Sequence, residues 1–388
     1  MIPVMTQEST SPVTLNDVAQ YVGVSTSTVS RVLNNKGEIS EETRQKVFQA
    51  IHTLGYRPSL VAQGLRTKAS RLIGLMLPEI LSPLFAELAM GVEMEASEAG
   101  YTVAHSNTLY SPEREKSGLN YLLDRYVDAV ICYSPQFQAD ELVPILNRVG
   151  ASIVINLPLP DPRIGEIFGD NLQGMQLVVT HLLEQGYRRI AYFALSASSW
   201  NGREREKAFK QVIHGMGLPF DDHMILNLDR DPRPDEGRTP GNNFAGIPGG
   251  AIEDGEWAGR RFLQTYSDVD AIICFNDLTA IGITRTLIEA GKRIPQEVGV
   301  VGFDNSIIGS KFMPSITSAG VDNLNCGKQA VRMLIDYLEN HHPQQLLRGL
   351  QSVQRSDSRR LVQPQGAESP HGGGLSEQPL AYRSNPTG

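Results

Sequence analysis

The sequence predicts a small all-α head followed by an α/β body of two lobes, each a doubly wound parallel sheet, and three observations carry that reading. Residues 14–35, TLNDVAQYVGVSTSTVSRVLNN, have the caps and the central glycine of two short helices joined by a tight turn. From Arg71 onward, apolar runs of strand length alternate with amphipathic segments of helix length, the pattern of parallel strands with crossover helices. That alternation starts afresh after IFGDN, dividing the body into two similar lobes with boundaries near residues 168 and 321. A chain of 388 residues is also longer than one small core organises.

The head is built from local signals. Thr14 is placed to cap a first helix with Asp17 three residues on; Val18, Ala19 and Val22 form its apolar face, and Gly23 permits the turn. Ser25 caps a second helix in which Val29, Val32 and Leu33 face inward and Thr26, Ser27, Ser30 and Arg31 stay outside. This is a helix-turn-helix, in which the N-terminal part of the second helix meets base edges in the major groove, and Arg31 is its best base reader. Ser40 then caps a third helix with acids in its first turn, an apolar face of Val47, Ile51 and Leu54, and Gly55 as its stop. After Pro58 the run SLVAQGLRT can start a fourth short helix at Ser59, but Gly64 and polar flanks make it too weak to persist alone in water.

Taken together, VTLNDVAQYVGVSTSTVSRVLN, YRPSLVAQGLR and the long two-lobed region resemble the lactose/galactose repressor (LacI/GalR) family of bacterial regulators over about residues 13–360. The resemblance implies a helix-turn-helix domain at 12–57, a hinge helix at 58–67, a periplasmic-binding-protein-like (type I) effector and dimerisation domain at 68–363, and a disordered tail at 364–388. In that family the hinge pairs with its dimer mate in the minor groove and wedges a leucine into a base step, a place that Leu65, with Ala62 beside it, would fill. The candidate DNA-contacting set is Thr14, Ser25, Thr26, Ser27, Thr28, Ser30, Arg31, Asn34, Ala62 and Leu65.

Charge supports the division of labour. Residues 12–71 carry eight Lys/Arg against four Asp/Glu, whereas the whole chain is at −8, so attraction to phosphate is confined to the head and a general polyanion binder is excluded.

In the body, RLIGLML, YTVAHS, VDAVICY and SIVINL read as strands of the first lobe. RRIAYFAL, VDAIICF and VGVVGFD read as strands of the second, with helices at 172–186, 203–217, 255–266 and 277–291. Ligands of such sheets bind beyond the carboxyl ends of the strands. Residues just after the apolar runs are Leu81, Ser82 and Phe85, then Asp170, Arg205, Asn276, Asp277 and Asp304. Carboxylates and amides exchange hydrogen bonds with vicinal hydroxyls, a guanidinium offers a fork of donors, and a ring stacks on an apolar sugar face. By the resemblance, Arg205, Asn276 and Asp304 fall on effector-binding positions, and Asp170 and Phe85 match lining positions. Plainer uses stand beside these: Asp170 and Asp277 can cap the helices that follow them, Arg205 can pair with Glu204 or Glu206 on a solvated face, and Trp200 can be a lid residue.

DRDPRPDEGRTPGNNFAGIPGGAIED, at 229–254, departs from the family as an irregular insertion where an aromatic wall to the effector is often found, and Phe244 is its candidate substitute. The tail lacks leucine heptads, which favours a dimer. Three distant Cys without C-x-x-C spacing, no leader-like N-terminus and no long apolar run predict a cytoplasmic protein without disulfide or membrane span. No catalytic motif, cofactor site or P-loop is found; the eight His are scattered, and His341-His342 before Pro343 reads as a solvated helix end rather than a metal pair. The expected protein is a homodimeric repressor of a pseudo-palindromic operator and not an enzyme. A small sugar-type effector closing the two lobes would shift the dimer interface and decide whether both hinges fold. A regulator answering to a phosphorylated metabolite, a purine or a protein corepressor is the alternative, disfavoured by the absence of added Lys or Arg near the strand ends.

Overall fold

The computed structural model describes residues 13–33, 37–56, 69–133, 139–194, 200–227 and 252–340. The proposed hinge with Ala62 and Leu65, Asn34, Phe244, His341-His342 and the tail lie outside these residues.

The head comprises α1 (Leu15–Val22), α2 (Thr26–Leu33) and α3 (Glu41–Leu54). The Thr14 side chain accepts from the Asp17 N–H at 3.3 Å and the Thr14 N–H donates to Asp17 Oδ2 at 2.7 Å, a closed capping box. Gly23 ends α1 with φ 74°, a left-handed turn open to glycine at no steric cost. Ser25 Oγ accepts from the Thr28 N–H at 3.2 Å to start α2, and Ser40 Oγ accepts from the Thr43 N–H at 3.3 Å to start α3. The caps set three helices around a core of Val18, Ala19, Val29, Val32, Val47 and Ala50, with Leu33, Ile51 and Leu54 packed at its edge.

Beyond residue 69 the chain forms two compact units, 69–168 with 323–340, and 169–322. The first lobe contains β1 (Leu72–Leu77), α4 (Pro83–Glu98), β2 (Thr102–Asn107), α5 (Pro112–Asp124), β3 (Ala129–Tyr133), α6 (Ala139–Leu146), β4 (Ala151–Ile155) and β5 (Gly165–Ile167). All its strand pairs are parallel, in the order β2-β1-β3-β4-β5. Strand alternation sends Ile73, Leu75 and Leu77 to one core and Met76 to the other, so the sheet is covered on both faces.

The second lobe contains α7 (Asn171–Glu184), β6 (Ile190–Ala194), α8 (Trp200–Gly215), β7 (Ile225–Asn227), α9 (Ile252–Thr265), β8 (Ala271–Cys274), α10 (Asp277–Glu289), β9 (Gly299–Phe303), α11 (Ile307–Lys311) and β10 (Thr317–Ala319). Its parallel sheet runs β10-β9-β8-β6-β7. Ile190 and Tyr192 face the α7–α8 side, and Ala191 and Phe193 the α9–α10 side.

α12 (Asn323–Asn340) follows the second lobe in sequence but packs into the first, where Ala330, Val331 and Leu334 join its core. Its backbone crosses α4 closely: a Cβ at Gly91 would lie 2.0 Å from the Leu324 carbonyl oxygen. Two details correct the sequence reading. Ile252–Asp254, assigned to the irregular insertion, form the first turn of α9, and Trp200, assigned to a loop, is the first residue of α8. Both helices begin earlier because their first turns pack on their own lobe: Asp254 and Gly255 are buried, as is Gly202 in α8.

Candidate functional site

The head presents its candidate DNA contacts on α2 and at the start of α1. Thr26, Ser27 and Arg31 are exposed, and Thr28 and Ser30 are half-buried. Ser25 is exposed but occupied: its hydroxyl bonds Ser27 Oγ at 2.7 Å and Thr28 Oγ1 at 2.9 Å as well as capping the helix. Thr14 is likewise held, its hydroxyl donating to Asp17 Oδ2 at 2.7 Å, and the Thr14 backbone and side-chain bonds hold the Asp17 carboxyl below its usual range. The helix-starting hydroxyls are therefore anchors, and Thr26, Ser27 and Arg31 are exposed on the outer face of α2, Ser27 with its hydroxyl bonded to Ser25.

In the second lobe, Arg205 on α8 is 8% exposed and lies at the carboxyl ends of the strands. Its guanidinium carbon sits 4.7 Å from the Phe275 ring centroid and 4.4 Å from that of Phe303, so two rings fix its plane. Nε donates to Asn171 Oδ1 at 3.1 Å, Nη1 donates to the Phe275 carbonyl, and Asn171 Nδ2 donates to Asn201 Oδ1 at 2.9 Å. This arrangement decides against the solvated ion pair with Glu204 or Glu206: burial and rings hold a donor fork in a set orientation. Asn276, also buried, caps α10 by accepting from the Thr279 N–H at 2.9 Å, while Thr279 Oγ1 accepts from the Asn276 N–H at 3.2 Å.

Asp304 is half-buried just past β9, with φ 112°, and Asn305 follows at φ 52°. Such values are strained for residues with a Cβ and concentrate at functional sites. The Asp304 N–H donates to the Ala319 carbonyl at 2.8 Å, and a Cβ at Gly320 would lie 2.4 Å from the Asp304 carbonyl carbon, so only glycine fits opposite this turn.

Asp277 corrects the sequence reading twice. The cap of α10 is Asn276, and the Asp277 carboxylate is buried, bonded by Ser306 and Ser318, so it faces the interior of the lobe rather than a ligand. Burial pushes its pKa up to about 6, against those serine hydrogen bonds and the Arg205 charge, which pull it down. Asp170 does cap, accepting from the Gln173 N–H at 2.9 Å, while its neighbour Asn171 is the residue that reaches Arg205.

In the first lobe, Ser82 starts α4 without using its hydroxyl as a cap, and its N–H donates to Glu79 Oε1 at 3.0 Å. The buried Glu79 also accepts from the Leu81 N–H, and its carboxyl is pushed up by burial against those two bonds. Phe85 packs edge-on against Tyr133 at 4.9 Å, and Tyr133 Oη accepts from Asn156 Nδ2 at 2.9 Å.

Sequence reading passed over Tyr133, Asn156, Asn171 and Phe275. Tyr133 ends β3, Asn156 follows β4 and Phe275 follows β8, so the strand-end rule applied evenly to every apolar run would have found all three. Asn171 had no such signal, because it became visible through Arg205.

A helix-turn-helix head joined to a two-lobed ligand-binding fold defines a ligand-responsive DNA-binding transcriptional regulator. Residues 14–59 match the bacterial regulatory proteins of the lacI family, residues 70–236 the periplasmic binding proteins and sugar binding domain of LacI family, and residues 179–356 a periplasmic binding protein-like domain. The chain is 32% identical over 329 residues to a ribose operon repressor of Halalkalibacterium halodurans, covering 84% of this chain and 90% of that protein. It is 27% identical over 328 residues to the HTH-type transcriptional repressor PurR of Photobacterium profundum, covering 84% and 92%. A crystal structure of the lac repressor dimer bound to operator and the anti-inducer ONPF superposes with a TM-score of 0.72 at 25% identity, covering 85% of this chain and 94% of that one. The chain belongs to the LacI family of bacterial regulatory proteins. Among the described residues no helix is long and apolar enough to cross a membrane.

Proposed function

We propose that the protein is a homodimeric repressor of a pseudo-palindromic operator, released by a small sugar-type effector. The observation that carries the sugar reading is Arg205, buried and clamped between Phe275 and Phe303 beside Asn276 and the strained Asp304. A fixed fork of donors next to an amide and a carboxylate is what hydroxyls of a neutral polyol need, and a phosphate would instead call for several gathered cations. The relative named a ribose operon repressor makes D-ribose the first probe.

In this reading Thr26, Ser27 and Arg31 contact bases, and the hinge at 58–67 places Leu65 in the minor groove. Arg205, Asn276 and Asp304 of the second lobe contact the effector, and no reaction is catalysed. The domains then run 12–57, 58–67 and 68–363, with a tail at 364–388, in a cytoplasmic protein.

The test is selection of operator from a random-site DNA pool, followed by thermal-shift screening of D-ribose, other free sugars, sugar phosphates and purine bases. A selected palindrome and a free sugar that raises Tm and weakens DNA binding support the proposal. A purine or phosphate ester doing so replaces the sugar reading, and no selected sequence overturns the head. Leu65→Ala should weaken operator binding more than nonspecific binding, and Arg31→Ala should relax base choice.

A further inference from the structure

Asp277 is 1% exposed, yet it sits one residue from Asn276 and its carboxylate gathers the elements that carry Asp304. Oδ2 accepts from the Ser306 N–H and from Ser306 Oγ, each at 2.7 Å, and Oδ1 accepts from Ser318 Oγ on β10. Ser318 Oγ in turn accepts from the Asn305 N–H at 2.9 Å, and Ser306 Oγ accepts from the Gly309 N–H at 3.2 Å, starting α11. The bonds close a ring through Asp277, Ser318, Asn305 and Ser306, which holds Asn305 at positive φ immediately after Asp304, itself at positive φ and bonded to the Ala319 carbonyl.

The surrounding sequence makes room for this carboxylate. A Cβ at Gly302 would lie 2.3 Å from Asp277 Oδ1, and one at Gly309 2.9 Å from Oδ2. A buried carboxylate with no structural duty would be replaced by an apolar residue at lower cost, since its desolvation is repaid only by the bonds it makes. The cap of α10 is already supplied by Asn276, so the bonds that Asp277 makes are those to the Asp304 turn.

We propose that Asp277 is the positioning residue of the effector site: through Ser318 and Ser306 it sets the backbone of the Asp304–Asn305 turn, and so aims the Asp304 carboxylate, without touching the effector. A residue of this kind stores the binding geometry before ligand arrives, and losing it costs affinity through the turn rather than through a lost contact. The proposal rests on the reading that Asp304 contacts the effector.

The experiment uses the full-length dimer and compares Asp277→Asn, Ser318→Ala, Ser318→Thr, Asp304→Ala and Thr286→Ala, the last a buried control on α10. Hydrogen-exchange mass spectrometry follows peptides spanning 300–312 against peptides of α8 and α10, and D-ribose is titrated into the operator complex. In Asp277→Asn and Ser318→Ala, protection in 300–312 should fall at least about tenfold while α8 and α10 are unchanged. The D-ribose concentration for half-release should rise about tenfold with sugar-free operator affinity unchanged, and Ser318→Thr should restore both. Uniform loss of protection through the lobe, as for Thr286→Ala, or no change in 300–312, overturns the proposal. If Asp304→Ala releases from operator as wild type does, the reading of Asp304 fails instead. If wild type ignores D-ribose, that sugar is not the effector, while the exchange comparison still decides the role of Asp277.

Discussion

In the head, Thr26, Ser27 and Arg31 stand exposed on an eight-residue helix anchored by caps within three residues, whereas in the second lobe Arg205 and Asp277 are buried and tied to residues far along the chain. The difference follows from what each surface binds. DNA supplies its own rigid array of donors, acceptors and phosphates, so the head need only offer side chains that adapt on its outer face. A small ligand has no such scaffold, and the protein must hold its donors and acceptors in place beforehand, which needs burial, rings and long-range hydrogen bonds.

The largest effect is expected in the core of the second lobe. Phe209, fully buried and stacked on Tyr192 at 5.1 Å, anchors α8, which carries Arg205. Phe209→Ala should cost about 4 kcal/mol in chemical denaturation and lose effector response, with the head's helices still formed. A loss under about 1 kcal/mol would mean that the lobe is not the rigid support described.

Next in size is a pH effect. Asp277 has its pKa raised to about 6 in the folded chain against 3.8 ordinarily, so the folded state keeps a proton that the unfolded chain releases between those values. Its contribution is fully present below the unfolded value and is lost as pH rises through the folded one. Asp277→Asn should flatten that part of the stability–pH curve, and an unchanged slope would place the titration elsewhere.

The head should respond in smaller steps. Gly23→Ala meets no atom within 4 Å but must hold φ 74°, which should cost about 1.5 kcal/mol from backbone strain alone. Thr14→Ala opens the capping box and should cost about 1 kcal/mol. Both are read from thermal unfolding and operator affinity, and neither should alter the sugar concentration that half-releases bound operator. If either does, cap and effector site are coupled in a way the local anchoring does not provide.

The same contrast explains what the sequence made legible. α1, α2 and α3 announce themselves because each cap lies within three residues of its partner, and the long buried strands do so because they are continuous apolar runs. The edge strands GEI, ILN and TSA are three residues each, too short for any period, and form only by pairing with β4, β6 and β9. The boundary near residue 321 set α12 apart from the second lobe, but its packing into the first is made by contacts with α4, far away along the chain. Within the candidate site, Asn276 and Asp304 directly follow apolar runs, while Arg205, inside α8, is singled out by the family resemblance. The duty of Asp277 was misread because its partners Ser306 and Ser318 are 29 and 41 residues away.

The most direct test of the account is release of selected operator DNA by free sugar in wild type and in Arg205→Ala. The account predicts sugar-free operator affinity within about threefold of wild type for Arg205→Ala, together with loss of release at sugar concentrations that free the wild type. Equal release of both proteins would show that the clamped arginine is not where the effector acts.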